Sequence, residues 1–160
     1  MQRLKPLRLA GALILCCASC IFTPTSHLMR AEVLRRDKKY SEAIEQYRLY
    51  IEQRLAEKYV PEEQNPFFYY LLIGDSYLGL SDPVRAKESY LIARDNRAEP
   101  DLVAAKLRSL ALYYEDRKQY QDAIDVLQEF RELDPLLFDL DIDRNHKKML
   151  ESESSPERSF

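Results

Sequence analysis

Apolar residues recur every three or four positions along most of the chain. Over 41–55 the set Ala43, Ile44, Tyr47, Ile51 and Leu55 makes one stripe, the pattern of an amphipathic helix with one buried face. Three segments share one internal order: Tyr40-x2-Ala43-x3-Tyr47, Pro83-x2-Ala86-x3-Tyr90 and Tyr120-x2-Ala123-x3-Leu127. Each is preceded at matching distance by a second apolar segment. These are His27-x2-Arg30-Ala31-x2-Leu34, Tyr70-x2-Ile73-Gly74-x2-Tyr77 and Leu107-x2-Leu110-Ala111-x2-Tyr114. The first is degenerate. The pattern predicts paired helices, with Asn65-Pro66 and Asp82-Pro83 placing a capping residue before a proline suited to a first helical turn. Pro100 and Pro135 mark boundaries, because proline disfavours helix in the residue before it.

The alanines of the three segments lie 43 and 37 residues apart. With the upstream segments they resemble the tetratricopeptide repeat, whose pattern W-x2-L-G-x2-Y…A-x3-F…P has a period of about 34 residues. The excess falls where loops belong, in residues 58–66 and around 95–100. The resemblance implies an all-α superhelix of three helix-turn-helix repeats, at about 26–57, 67–100 and 104–135. Ala31, Gly74 and Ala111, with Ala43, Ala86 and Ala123 from the partner helices, would then be the small residues at which paired helices approach closest. Another slot usually small in the family holds Ala93 in the second repeat but Tyr50 and Phe130 in the others, which implies altered packing between neighbours. Leu136, Leu137, Phe138 and Leu140 are too apolar for a free tail, and a solenoid's last repeat needs covering. Residues 136–151, centred on Asp139–Leu150, are therefore expected to form a capping helix, with Lys147 and Lys148 near its favourable C-terminal end. Residues 152–160 are expected to be disordered.

The N-terminus reads differently. Arg3, Lys5 and Arg8 precede Leu9–Phe22, an uncharged run of 14 residues. At ~1.5 Å per residue the run spans roughly 21 Å, short of the ~30 Å hydrocarbon core. A basic start before a short apolar run is a secretory signal. All three cysteines, Cys16, Cys17 and Cys20, sit at its end. Cys17-Ala18-Ser19-Cys20 resembles a bacterial lipobox, although Cys17 stands where leucine is usual. The resemblance implies a signal peptide over 1–19, a lipidated Cys20, a short tether over 20–25, and membrane attachment through acyl chains. Ile21 is not the aspartate that holds many such proteins at the inner membrane. The expected address is the bacterial envelope, on the periplasmic face of an outer membrane.

Composition narrows the function. The 160 residues are 46% apolar and 32% charged with only three glycines, which suits a folded helical protein. A net charge of −3 gives no electrostatic case for nucleic acid. There is no Walker loop, GxSxG, HExxH or paired CxxC, and no small-molecule substrate or cofactor is evident. Asp139, Asp141 and Asp143 alternate like a calcium loop, but Arg144 stands at its glycine and Leu150 at its glutamate. The bland reading is that these acids complement a helix start. His27 and His146 are isolated, and a metal site from Cys16, Cys17, Cys20 and His27 would rest on a segment normally discarded. Glu62-Glu63 and Glu115-Asp116 read as solvated acids, and Phe67-Phe68-Tyr69-Tyr70 as core packing rather than a membrane belt.

The tetratricopeptide resemblance implies a concave face lined by the first helix of each repeat. Its candidate protein-binding residues are Glu32, Arg35 and Arg36, then Leu71, Asp75 and Leu78, then Arg108, Leu112 and Glu115. Such a groove is basic at one end, apolar in the middle and mixed at the other. The carboxylate clamp that binds chaperone tails in this family is absent, since matching positions hold Leu28, Glu32, Ala105 and Ser109. The reading is a non-enzymatic adaptor whose partners are other envelope proteins, similar at fold level to subunits of outer-membrane assembly machines and to pilotins. A tethered partner of cell-wall enzymes is the alternative, and an envelope enzyme a distant third.

Overall fold

The computed structural model describes residues 26–58 and 65–154. The signal segment, Cys20, the tether to Thr25, most of the 58–66 loop and residues 155–160 lie outside them. The described residues form seven α-helices and no strand: α1 (His27–Arg36), α2 (Tyr40–Leu55), α3 (Tyr69–Gly79), α4 (Pro83–Asp95), α5 (Pro100–Glu115), α6 (Tyr120–Glu129) and α7 (Pro135–Ser154). Short 3-10 turns at Pro66–Phe68 and Arg131–Leu133 lead into α3 and α7. The helices pack as consecutive pairs, α1 with α2, α3 with α4 and α5 with α6, with α7 laid on α6. The result is an all-α superhelix of stacked helical hairpins.

Local chemistry sets the helix starts. The Asp82 carboxylate accepts the Arg85 amide at 3.0 Å ahead of Pro83, and Asn65 accepts the Phe67 amide at 2.9 Å ahead of the 3-10 turn. Asp134 accepts the Leu137 amide at 3.1 Å, so α7 begins at Pro135 itself. Each satisfies an amide that the helix cannot. The helix ends share a device that does not use glycine. Lys38, Ser81, Arg97 and Lys118 all adopt left-handed backbone, with φ from 59° to 64°. The next residue's amide closes back onto a carbonyl of the last turn, Lys39 to Leu34, Asp82 to Tyr77, Ala98 to Ala93 and Gln119 to Tyr114. This is the Schellman closure.

The small residues sit at the helix crossings. Ala31, Ala43, Ala86 and Ala123 are fully buried, Ala111 nearly so. At Gly74 the fit is tightest: a Cβ there would overlap the Tyr90 ring. Tyr47, Tyr90 and Leu127 fill equivalent positions of the second helices and are all fully buried. Ala93 is buried as well. Phe130 is buried and carries the cations of Lys87 and Arg94 at 5.3 and 5.4 Å from its ring. Tyr50 stacks edge-on against Tyr69 at 4.9 Å.

Three expectations change at the C-terminal end. The α7 helix continues through Ser154, so residues 152–154 are helical rather than disordered. It starts four residues before Asp139, so the acids at 139, 141 and 143 are not its first turn. Of its leading apolar residues only Phe138 is buried, whereas Leu136, Leu137 and Leu140 are exposed. The aromatic quartet also differs: Phe68 is exposed and Phe67, Tyr69 and Tyr70 are half-buried, pairing with one another and with Tyr47 and Tyr50 at the surface of the core.

Candidate protein-binding groove

The first helices α1, α3 and α5 present one residue each at equivalent positions, Glu32, Asp75 and Leu112, and the two acids bond to their repeat's second helix. The Tyr47 hydroxyl donates to Glu32 at 2.7 Å, and the Tyr90 hydroxyl donates to Asp75 at 3.0 Å. In the third repeat the corresponding pair, Leu112 and Leu127, is apolar. Burial, then the neighbouring carboxylate, pushes both tyrosine hydroxyls well above their ordinary range, so they remain donors at any physiological pH. The two acids are held further by cations: Arg35 donates to Glu32 at 3.1 Å, and Lys106 reaches Asp75 at 2.5 Å. Arg35 also donates to the Tyr47 hydroxyl at 3.2 Å.

At the far end α7 takes up the remaining charges. Arg108 binds Asp141 through two nitrogens at 2.6 and 3.3 Å. Glu115 is buried and accepts from Arg144 at 2.8 Å, Lys148 at 2.6 Å and Asn145 at 3.0 Å. Arg144 also reaches Asp141 at 2.5 Å. Burial alone would raise the Glu115 carboxyl, but the hydrogen bonds and charge of Arg144, with those of Lys148 and Asn145, outweigh it and hold it at about 2. Asn145 is fully buried, and its Oδ1 has no hydrogen-bond partner among the described residues.

The sequence-derived groove is therefore redrawn. Leu71 is 1% exposed and belongs to the core, not to the groove. Glu115 is neither groove lining nor a solvated acid, because it is the anchor of α7. Arg108, Glu32, Arg35 and Asp75 are each committed to a neighbour. Arg36 is exposed, Leu78 is half-buried, and Leu112 is 41% exposed. The groove expected to be basic at one end, apolar in the middle and mixed at the other becomes a face on which Glu32, Arg35, Asp75 and Arg108 are paired with neighbours, while Arg36, Leu78 and Leu112 remain open to contact. Sequence reasoning missed the partners Lys106, Asp141, Arg144 and Lys148, which lie 29–33 residues from the groups they bind. The equal offsets from Glu32 to Tyr47 and from Asp75 to Tyr90 were the available signal.

Residues 71–136 match the tetratricopeptide repeat family. The match runs from α3 into the start of α7, covering the second and third helical pairs. It supports a tetratricopeptide repeat protein, and the paired helices have that fold. No curated protein matches the chain. Tetratricopeptide repeats generally bind other proteins and act as non-catalytic scaffolds, which suggests a protein-interaction role. His27 Nδ1 donates to Gln46 Oε1 at 2.9 Å, and among the described residues no cluster of His, Cys, Asp and Glu could hold a metal ion.

Proposed function

We propose that the protein is a lipid-anchored adaptor of a bacterial envelope, holding partner proteins on the concave face of its repeats while acyl chains on Cys20 fix it to the periplasmic side of an outer membrane. The observation that carries the binding half is the state of that face. Most of its charges are spent on neighbours, while Leu112, Arg36 and, in part, Leu78 remain open to contact. Such a surface favours an extended segment or helix that brings apolar side chains. The anchoring half rests on the basic start, the short apolar run and the Cys17–Cys20 lipobox pattern. Among the described residues no helix is long and apolar enough to cross a membrane. Assembly or recruitment of an outer-membrane or secretion complex is the task such an adaptor would serve.

The experiment is a crosslinking pull-down from native membranes with wild type, Cys20→Ala and Leu112→Asp, read by mass spectrometry of the bait's N-terminus and of the captured proteins. The reading expects a lipid on Cys20, a defined set of captured envelope proteins, loss of attachment with Cys20→Ala, and loss of capture with Leu112→Asp at unchanged helicity. An unlipidated bait overturns the anchor. Capture that survives Leu112→Asp overturns the groove. Arg35 is not a clean probe, because reversing its charge also disturbs the buried Tyr47 hydroxyl.

A further inference from the structure

Two more grooves run between neighbouring second helices, each completed by a tyrosine of the intervening first helix, and these have equivalent walls with unlike charge. Between α2 and α4 one groove is lined by Arg48, Tyr77 and Arg85, and between α4 and α6 the next, of about 480 Å³, is lined by Leu91, Tyr114 and Asp122 at the corresponding positions. In the first, the protein supplies its own cations. Arg48 donates to the Tyr77 hydroxyl at 2.9 Å, and the Arg85 guanidinium lies over the Tyr77 ring at 4.8 Å. In the second, the arginine positions have become a leucine and an aspartate, so Tyr114 has neither cation. Carboxylates surround it instead: Glu88, Asp122, Asp125 and Glu129, against Lys87 alone, which is already paired with Glu129 at 2.5 Å. Its apolar lining includes Val84, 64% exposed, and the buried Val126.

We propose that the α4–α6 groove is a docking site for a partner-protein segment that brings an arginine onto Tyr114, among the carboxylates of Glu88, Asp122 and Asp125, beside an apolar side chain seated against Val84 and Val126. The charge complementarity is specific in kind. The neighbouring groove shows that this geometry accepts a guanidinium over the tyrosine, and an aromatic face with flanking carboxylates attracts a cation by both its quadrupole and its charge. Apart from Tyr114 of α5 the groove is lined by α4 and α6, and it shares no lining residue with the first-helix candidates Leu78, Arg108 and Leu112, so its occupancy can be tested apart from the adaptor reading above.

The test titrates the full chain with a short fluorescein-labelled amphipathic peptide of arginine and leucine, followed by anisotropy. The matched peptide with glutamate for arginine is the control. Asp122→Arg copies the Arg85 arrangement and fills the site from within, and it is expected to weaken binding by about tenfold or more. Asp101→Arg, an equal charge change at an exposed site on α5, is expected to leave binding unchanged, as melting temperature should be for both variants. Lys87→Ala frees Glu129 and is expected to tighten binding. Equal weakening by both arginine variants means diffuse attraction to an acidic protein and overturns the proposal. So does equal binding of the glutamate peptide, or no binding by wild type. Self-association of the protein alone that Asp122→Arg abolishes would make the occupant a second copy, and would overturn the assignment to a partner.

Discussion

The α3–α4 junction and the α5–α7 junction are made by unlike means, the first by close packing of two helices and the second by side chains that reach across from α7, which lies on α6. The first is set mainly by shape: Gly74 lets the Tyr90 ring press onto the α3 backbone, the Tyr90 hydroxyl is answered by Asp75, and the buried Ser76 and Ser89 hydroxyls bond within their own helices. The second is ionic: Glu115 and Asp141 are buried and held by Arg108, Arg144 and Lys148, with Asn145 completing the contact. A joint inside the stack recurs, so its chemistry is set by shape. The terminal joint occurs once and must leave its outer surface in water, and charged side chains do this by keeping their stems on the protein and their heads at the rim. The difference makes one joint sensitive to volume and the other to pH.

The largest effect is expected from volume. Gly74→Leu should cost about 3 kcal/mol through overpacking against Tyr90, seen as a lowered thermal or urea midpoint. An unchanged midpoint would dissolve the shape side of the comparison. Acid should act on the other joint. The Glu115 carboxyl is held at about 2 in the folded state, below its ordinary value of 4.5. Its contribution is therefore complete above the unfolded value and disappears as pH falls through the folded one. Between about pH 4.5 and 2 that amounts to up to about 3 kcal/mol, readable as lost hydrogen-exchange protection in α7 ahead of α3 and α4. Glu115→Gln should cost about 2 kcal/mol at neutral pH, since it leaves Arg144 and Lys148 without their anion, and should flatten that part of the acid profile. The smallest effect concerns what both regions share. Lys118→Gly relieves a left-handed residue at a helix end and should stabilise by about 0.5–1 kcal/mol, raising the melting midpoint slightly.

The same contrast explains what could be read from the chain. Shape recurs, so the Ala and Gly positions at 31, 43, 74, 86, 111 and 123 and the tyrosines beside them stand out by spacing, and every one of those small residues is buried. The groove was harder, because helical spacing says which side of α3 a residue is on but not how far the neighbouring repeat reaches over it. That is why Leu71 falls in the core. The ionic joint was least legible. Asp141 and Asn145 look like solvent-facing residues of a polar helix, and only the docking of α7 on α6 brings them to Arg108 and Glu115 of α5. The left-handed turns at Lys38, Ser81, Arg97 and Lys118 carry no glycine to announce them.

The most direct measurement places a photocrosslinking amino acid at position 112, on the first-helix face, and in a separate protein at position 147, whose side chain is 78% exposed on α7. Both are irradiated in native membranes. The account expects a discrete adduct of defined mass from position 112 and none from position 147, with the adduct lost when Arg36→Glu or Leu78→Asp is added. A smear shared by both positions, or no adduct at 112, would contradict the claim that this face holds a partner.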